Sequence, residues 1–202
     1  MYLESPLKTY LDDLAAKKPA PGGGSAAALA ASIGAGLISM VANYTVNNPR
    51  YKNVEEEAAA ILTKSEDARR ELGSLIDKDV EAYSDLSKAL KEEGADRDRL
   101  EAAYKEALKP AFDVCMITAE CLKLCKELVE CGNKNLVTDI AIAAIMLEGA
   151  FFSAKFNVYI NLKYMKDIDY IGEIHKRLAP LEEELPKLKE EILESCEDVI
   201  SK

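Results

Sequence analysis

Asp77 and Asp79 are the pair in this chain most suited to proton transfer. A carboxylate held partly out of water has a raised pKa and can give and take a proton near neutral pH. Residues two apart lie about 200° apart around a helix, so the two cannot share a face. The apolar stripe of the surrounding segment runs Ala58, Ile61, Leu62, Ala68, Leu72, Leu75, Ile76, Val80, Tyr83, Leu86 and Leu90. Asp79 follows Ile76 by three and precedes Tyr83 by four, so it falls inside that stripe. Asp77 aligns with Arg70, Glu81, Ser84 and Lys88 on the wet face. Asp79 is therefore the expected proton carrier and Asp77 the second candidate. The competing reading of Asp79 is a buried carboxylate that only caps a neighbouring helix.

A second feature is the run Pro19-Ala20-Pro21-Gly22-Gly23-Gly24-Ser25, followed by the uncharged, Ala-rich stretch Ala26 to Val41. Three glycines in a row are entropically costly and allow close approach of backbone to another group. Ser25 is a good N-cap for a helix starting at Ala26, whose free N–H groups would favour an anion. A tight turn between two packed helices is the alternative. A third feature is amide-rich. Asn157 and Asn161 lie four apart on an otherwise apolar helix, with Ser153 on the same face. Gly132-Asn133-Lys134-Asn135 leads into Thr138-Asp139 at another helix start. Together these groups are expected to line a pocket that reads a heterocycle rich in N–H and C=O groups.

The elements that must hold these residues read as helices throughout. They are expected at Pro6 to Ala16, Ala26 to Asn47 (stopped by Asn48-Pro49), and Val54 to Leu90 (closed by Glu93-Gly94). Asp96 or Asp98 caps the next, which reaches Cys131-Gly132 with a break or kink at Pro110. Thr138 or Asp139 caps a helix to Leu162, then come a short one at Tyr170 to Leu178 and a last one from Pro180 to Ile200. No strict alternation and no hairpin dipeptide occurs, so the expected fold is an all-α, single-domain helical bundle. Asp139 to Leu162, apolar nearly all round, is its buried central helix. Glu148, Lys155, Asn157 and Asn161 argue against that helix being a membrane span. Ala28, Ser32 and Gly36 form a small-residue face for close helix packing.

The 202 residues carry a net charge of −10 with 49% hydrophobic and 31% charged residues, a globular composition. That charge argues against nucleic acid or membrane-surface partners. The five cysteines and the lack of a signal-peptide pattern at the start lead to a cytoplasmic expectation. His175 is the only histidine, and Cys121 and Cys125 have no second pair spaced for zinc, so no metal is expected. Nucleophile-elbow, phosphate-loop and dinucleotide motifs are missing as well.

Pro19 to Ser25, then Asp77-x-Asp79-x-x-Ala82-Tyr83, then Cys131-Gly132-Asn133 with Asp139, then Phe156-Asn157-Val158-Tyr159-Ile160-Asn161-Leu162 follow one another along nearly the whole chain. In that order they resemble the cyclodeaminase/cyclohydrolase family. This family includes the C-terminal domain of formiminotransferase-cyclodeaminase and free-standing methenyltetrahydrofolate cyclohydrolases. The resemblance implies a helical homodimer that binds a tetrahydrofolate derivative, with or without a polyglutamate tail, and no cofactor beyond that substrate. It places the catalytic carboxylate in Asp77-x-Asp79. It implies substrate contacts at Pro21, Gly22, Gly23, Gly24, Ser25, Asn133, Asn135, Asp139, Asn157 and Asn161. The asparagines suit the pterin, and the start of the Ala-rich helix with Lys17 or Lys18 suits the glutamate. The first expectation is a cyclodeaminase that converts 5-formimidoyltetrahydrofolate to the 5,10-methenyl compound and ammonia. The second is a cyclohydrolase that opens the methenyl compound to 10-formyltetrahydrofolate. A helical scaffold or partner-binding module is the non-enzyme alternative.

Overall fold

A computed structural model describes residues 1–92 and 96–202. Among these residues there are six α-helices and no strand. They are α1 (Leu7–Ala15), α2 (Gly23–Asn43), α3 (Glu55–Lys91), α4 (Arg97–Cys131), α5 (Val137–Leu162) and α6 (Ile168–Ile200). The expected stop at Glu93-Gly94 lies outside the described residues.

Local sequence explains most boundaries. Pro6 precedes α1. The Asp96 side chain accepts from Arg99 N–H at 2.8 Å and starts α4. Asp167 does the same for α6, accepting from Tyr170 N–H at 3.0 Å. Gly132 follows the end of α4 and donates its N–H to the Leu128 carbonyl at 2.7 Å. After α2 the chain turns at Asn47, whose φ is 58°, before Pro49 opens a short 3-10 turn.

Pro110 and Pro180 sit where sequence rules foresee breaks, and neither ends a helix. Pro110 is buried inside α4, and Pro180 and Pro186 lie within α6. Residues 168–200 thus form one helix rather than two. An interior proline costs about 3 kcal/mol. Leu178, Leu185, Leu188 and Ile192 of α6 are buried, and each such side chain returns about 1.5–3 kcal/mol. The packed stripe therefore outweighs the lost hydrogen bonds.

Helix α2 packs against α3, α4 and α5, and α5 packs against α2, α4 and α6. The small-residue face of α2 meets α3 closely. Ala28 is buried, and the Ser32 hydroxyl donates to the Arg69 carbonyl at 3.3 Å. A Cβ on Gly36 would lie 3.6 Å from Arg69 Cδ. On the α5 side, a Cβ on Gly34 would come within 2.8 Å of Leu147 Cγ. By length and composition, α2 and the stretch Lys134–Leu162 are apolar enough to cross a membrane. Here α2 is wedged between α3 and α5. Helix α5 differs from the expected wholly buried rod. Ile142, Ile145, Phe156 and Ile160 form an exposed stripe along it, with Ile145 52% and Phe156 70% exposed.

Candidate active site

The site begins at the α2 N-terminus. Gly22 is the N-cap and provides no side chain to accept from the helix. A carboxylate from α3 fills that role, because Ser25 N–H donates to Asp79 Oδ2 at 2.8 Å. The anion expected at this helix start is thus the protein's own Asp79. Ser25 is not the cap. Its hydroxyl turns inward, donates to the Ile76 carbonyl at 3.0 Å and accepts from the Tyr10 hydroxyl at 3.2 Å. Gly24 makes the arrangement possible, since a Cβ there would collide with the Asp79 carboxylate, only 2.7 Å from its Cγ. At Gly23 a Cβ would meet Asn157 Nδ2 at an ordinary 3.5 Å.

Burial raises the Asp79 pKa above the ordinary carboxylate value, and the Ser25 N–H lowers it only in part. A carboxyl held in this way can exist in either protonation state closer to neutral pH.

Asp79 lines a cleft of about 410 Å³. Gly22, Gly23 and Gly24 form one wall, with Asn157 and Asn161 of α5 facing them. Tyr83, Leu86 and Leu90 of α3 continue along the cleft to Tyr104 and Tyr164, whose rings stack at 5.3 Å with 17° between planes. Asn157 Nδ2 donates to the Ser153 carbonyl at 3.1 Å, and Asn161 Nδ2 to the Asn157 carbonyl at 2.8 Å. One N–H of each amide is engaged by the helix, which leaves each Oδ1 as an acceptor and the second N–H as a donor.

Comparison with known proteins adds to this geometry. The family model described as formiminotransferase-cyclodeaminase matches residues 6–180. The chain belongs to the formiminotransferase-cyclodeaminase family. A methenyltetrahydrofolate cyclohydrolase from Methylorubrum extorquens is 37% identical over 205 residues, covering 96% of this chain and 97% of that protein. The mouse formimidoyltransferase-cyclodeaminase is 33% identical over 189 residues, covering 90% of this chain and 35% of that protein. This chain therefore spans about a third of the length of that relative. The crystal structure of formiminotetrahydrofolate cyclodeaminase from Thermotoga maritima superposes with a TM-score of 0.93 at 31% identity. The match covers 99% of this chain and 100% of that one.

Within this cyclodeaminase-family fold, the expected site residues divide into those at the cleft and those away from it. Gly22, Gly23, Gly24, Asp79, Asn157 and Asn161 gather at one end of the cleft. Pro21 is buried behind it, joined to Ala20 by a cis peptide bond, and Ser25 is buried beneath it. Asp77 is elsewhere and is not on a wet face. It is 6% exposed, and its two oxygens accept from the N–H groups of Tyr2 at 2.5 Å and Leu3 at 3.2 Å. The N-terminal segment covers the face of α3 that periodicity assigns to solvent.

Asn133, Asn135 and Asp139 are likewise not with Asn157 and Asn161. Asn135 and Asn157 lie at opposite ends of α5, 22 residues and roughly 33 Å apart along the axis. Asn133 works structurally. Its N–H donates to the Thr45 hydroxyl at 3.0 Å, its Nδ2 to the Tyr44 carbonyl at 3.3 Å, and its Oδ1 accepts from Tyr51 O–H and Asn135 N–H. It ties the start of α5 to the end of α2. Lys18 is paired with Asp13 rather than free for a ligand.

The aromatic half of the cleft has no counterpart among the expected residues. Tyr104 and Tyr164 lie 60 residues apart in sequence, and neither stands in a motif. The one available signal was Tyr164 falling two residues past the helix that carries Asn157 and Asn161.

Proposed function

We propose that the chain is a methenyltetrahydrofolate cyclohydrolase with Asp79 as its general acid and base. The observation that carries this is the 37% identity over almost the full length of both proteins to a free-standing enzyme of that name. The sequence alone put ammonia release first. That remains the second reading, favoured by the close superposition on the Thermotoga maritima cyclodeaminase.

The cleft chemistry suits hydrolysis. The methenyl bridge is a cation shared between N5 and N10, and a poorly solvated carboxylate favours a cation beside it. Water adds through oxygen to the bridge carbon while its proton passes to Asp79. The C–N5 bond then breaks, its electron pair stays on N5, and N5 takes the proton from Asp79. The carbinol hydroxyl gives its proton to the freed Asp79 carboxylate, and from there to water, as the formyl C=O forms on N10. In cyclodeamination N10 attacks the amidine carbon instead, and the same carboxyl carries the proton from N10 to the departing ammonia.

The proposal includes a second copy of the chain. A groove between α2 and α5, lined by Ala26, Ala30, Ile145, Gly149 and Ser153, lies beside the exposed stripe of α5. Small residues that admit a partner helix line it beside the exposed Ile145, and Gly23 and Asn157 belong to this groove as well as to the cleft.

The absorbance of the methenyl chromophore tests the reaction. Supplied with 5,10-methenyltetrahydrofolate, the protein is expected to bleach it faster than buffer alone. Formation of the chromophore from 5-formimidoyltetrahydrofolate without any such bleaching would overturn the hydrolase reading in favour of the deaminase.

A further inference from the structure

The two ends of the cleft differ in chemistry, and the difference sets the direction in which a long ligand can lie. One end holds the Asp79 carboxylate, the glycine backbone and the Asn157 and Asn161 acceptors. The other holds the stacked Tyr104–Tyr164 pair, Leu86 and Leu90. From Asp79 to Leu90 the α3 wall spans 11 residues, roughly 16 Å. Asn157 and Asn161 share a face near the end of α5, and Tyr164 follows in the turn just past it.

We infer that the folate lies with its pteridine at the Gly23–Asn157 end, its benzoyl ring against Tyr104 and Tyr164, and its glutamate tail leaving past Lys163. This rests on the tetrahydrofolate reading above. The pteridine carries N–H donors that match the free Oδ1 atoms of the two asparagines. The benzoyl ring matches an aromatic pair, with a further ring, Tyr83, between the two ends. The reacting bridge lies between the two ring systems, beside the turn of α3 that carries Asp79 and Tyr83.

Charge decides the tail. At the α2 N-terminus the anion position is already filled by Asp79, so a carboxylate there would face like charge. Lys18 is engaged with Asp13. At the opposite end Lys163 Nζ lies 5.7 Å from the centroid of the Tyr164 ring, on the exposed end of α5. The direction is the reverse of the one that places the tail at the glycine loop with Lys17 or Lys18.

The experiment compares 5,10-methenyltetrahydrofolate as mono- and triglutamate, with 6-methyltetrahydropterin, which lacks the benzoylglutamate, as competitive inhibitor. Tyr164 is 54% exposed, so Tyr164→Ala should leave helix content unchanged and lower melting by no more than a few degrees, the loss of its stack on Tyr104. The expected result is a KM for the monoglutamate raised about twofold to tenfold, the scale of one aromatic pair, with kcat little changed. The inhibition constant of the pterin fragment should stay within about twofold. Lys163→Glu should abolish the lower KM of the triglutamate relative to the monoglutamate, and Lys17→Glu should leave it in place. The reverse pattern for the two lysines would overturn the orientation. So would a Tyr164→Ala enzyme that weakens the pterin fragment as much as the whole substrate, or a parent with no preference for the triglutamate. Failure of the parent to turn over any methenyl- or formimidoyltetrahydrofolate is a separate outcome that overturns the enzymatic reading and the orientation with it.

Discussion

Asp79 does two jobs with one carboxylate: it caps α2 through Ser25 N–H, and it faces the cleft. Asparagine keeps an acceptor for that N–H but cannot carry the proton. Asp79→Asn is therefore expected to fold normally and to lose at least about a hundredfold in kcat, measured by the chromophore assay. Burial raises the folded pKa, so the stability contribution is fullest at low pH and is lost as pH rises through that pKa. The variant should melt no lower than the parent at pH 8, and the two should converge in acid. In the parent, kcat/KM should fall as pH drops through the same raised pKa, because the base form disappears. Gly24 and Gly23 separate space from backbone flexibility. Gly24→Ala pushes a methyl into the Asp79 carboxylate and should cut activity by a factor of ten or more while helix content holds. Gly23→Ala meets only the edge of the Asn157 amide at contact distance, and activity should stay within a few-fold. Equal losses in both variants would mean that the Asp79 clash is not what matters.

Among the elements, the segment before α1 has a larger part than its length implies. Asp77 holds it through two backbone N–H groups, and the Tyr2 ring packs edge-on against Tyr10 at 5.3 Å. Removing the Asp77 carboxylate leaves those donors without it. Asp77→Ala should cost about 1–3 kcal/mol in urea unfolding and speed amide exchange at residues 1–5, with kcat within a few-fold. A loss in kcat as deep as that of Asp79→Asn would refute the structural role. The positions of Asp77 and Asp79 show what helical periodicity can and cannot reveal. Counting along α3 places Asp79 with Ile76 and Tyr83 and separates it from Asp77, as found. The same count cannot see that a strand of chain 74 residues away lies over the other face. Helix starts at Asp96 and the stop at Gly132 were readable because caps are local chemistry. Pro180 misled, because the cost that suggested a helix start there is local and the packing that offsets it inside α6 is not. Asn133 and Asn135 looked like pocket residues because they precede a helix, yet Asn133 is bonded to Thr45, Tyr44 and Tyr51, just past the end of α2, and Asn135 donates its N–H to Asn133 Oδ1.

At the scale of the whole molecule, the exposed stripe of α5 is where the proposed second copy seats. Ile145→Asp puts a charge into that stripe at a side chain the isolated subunit leaves half in water. Sedimentation should show the parent as a dimer and the variant as a stable monomer. A monomeric parent would remove the dimer from the proposal, and association of the parent with lipid vesicles instead would assign the stripe to a membrane surface. Gly23 and Asn157 line both the cleft and the groove between α2 and α5. With a partner in that groove, the wall holding the pteridine is braced from behind by another subunit. Turnover per subunit would then depend on how much protein is in the tube. On dilution, specific activity should decline with a lag set by how fast the subunits part, and should recover when the protein is concentrated again. Saturating substrate, bound against the same wall, should slow the decline.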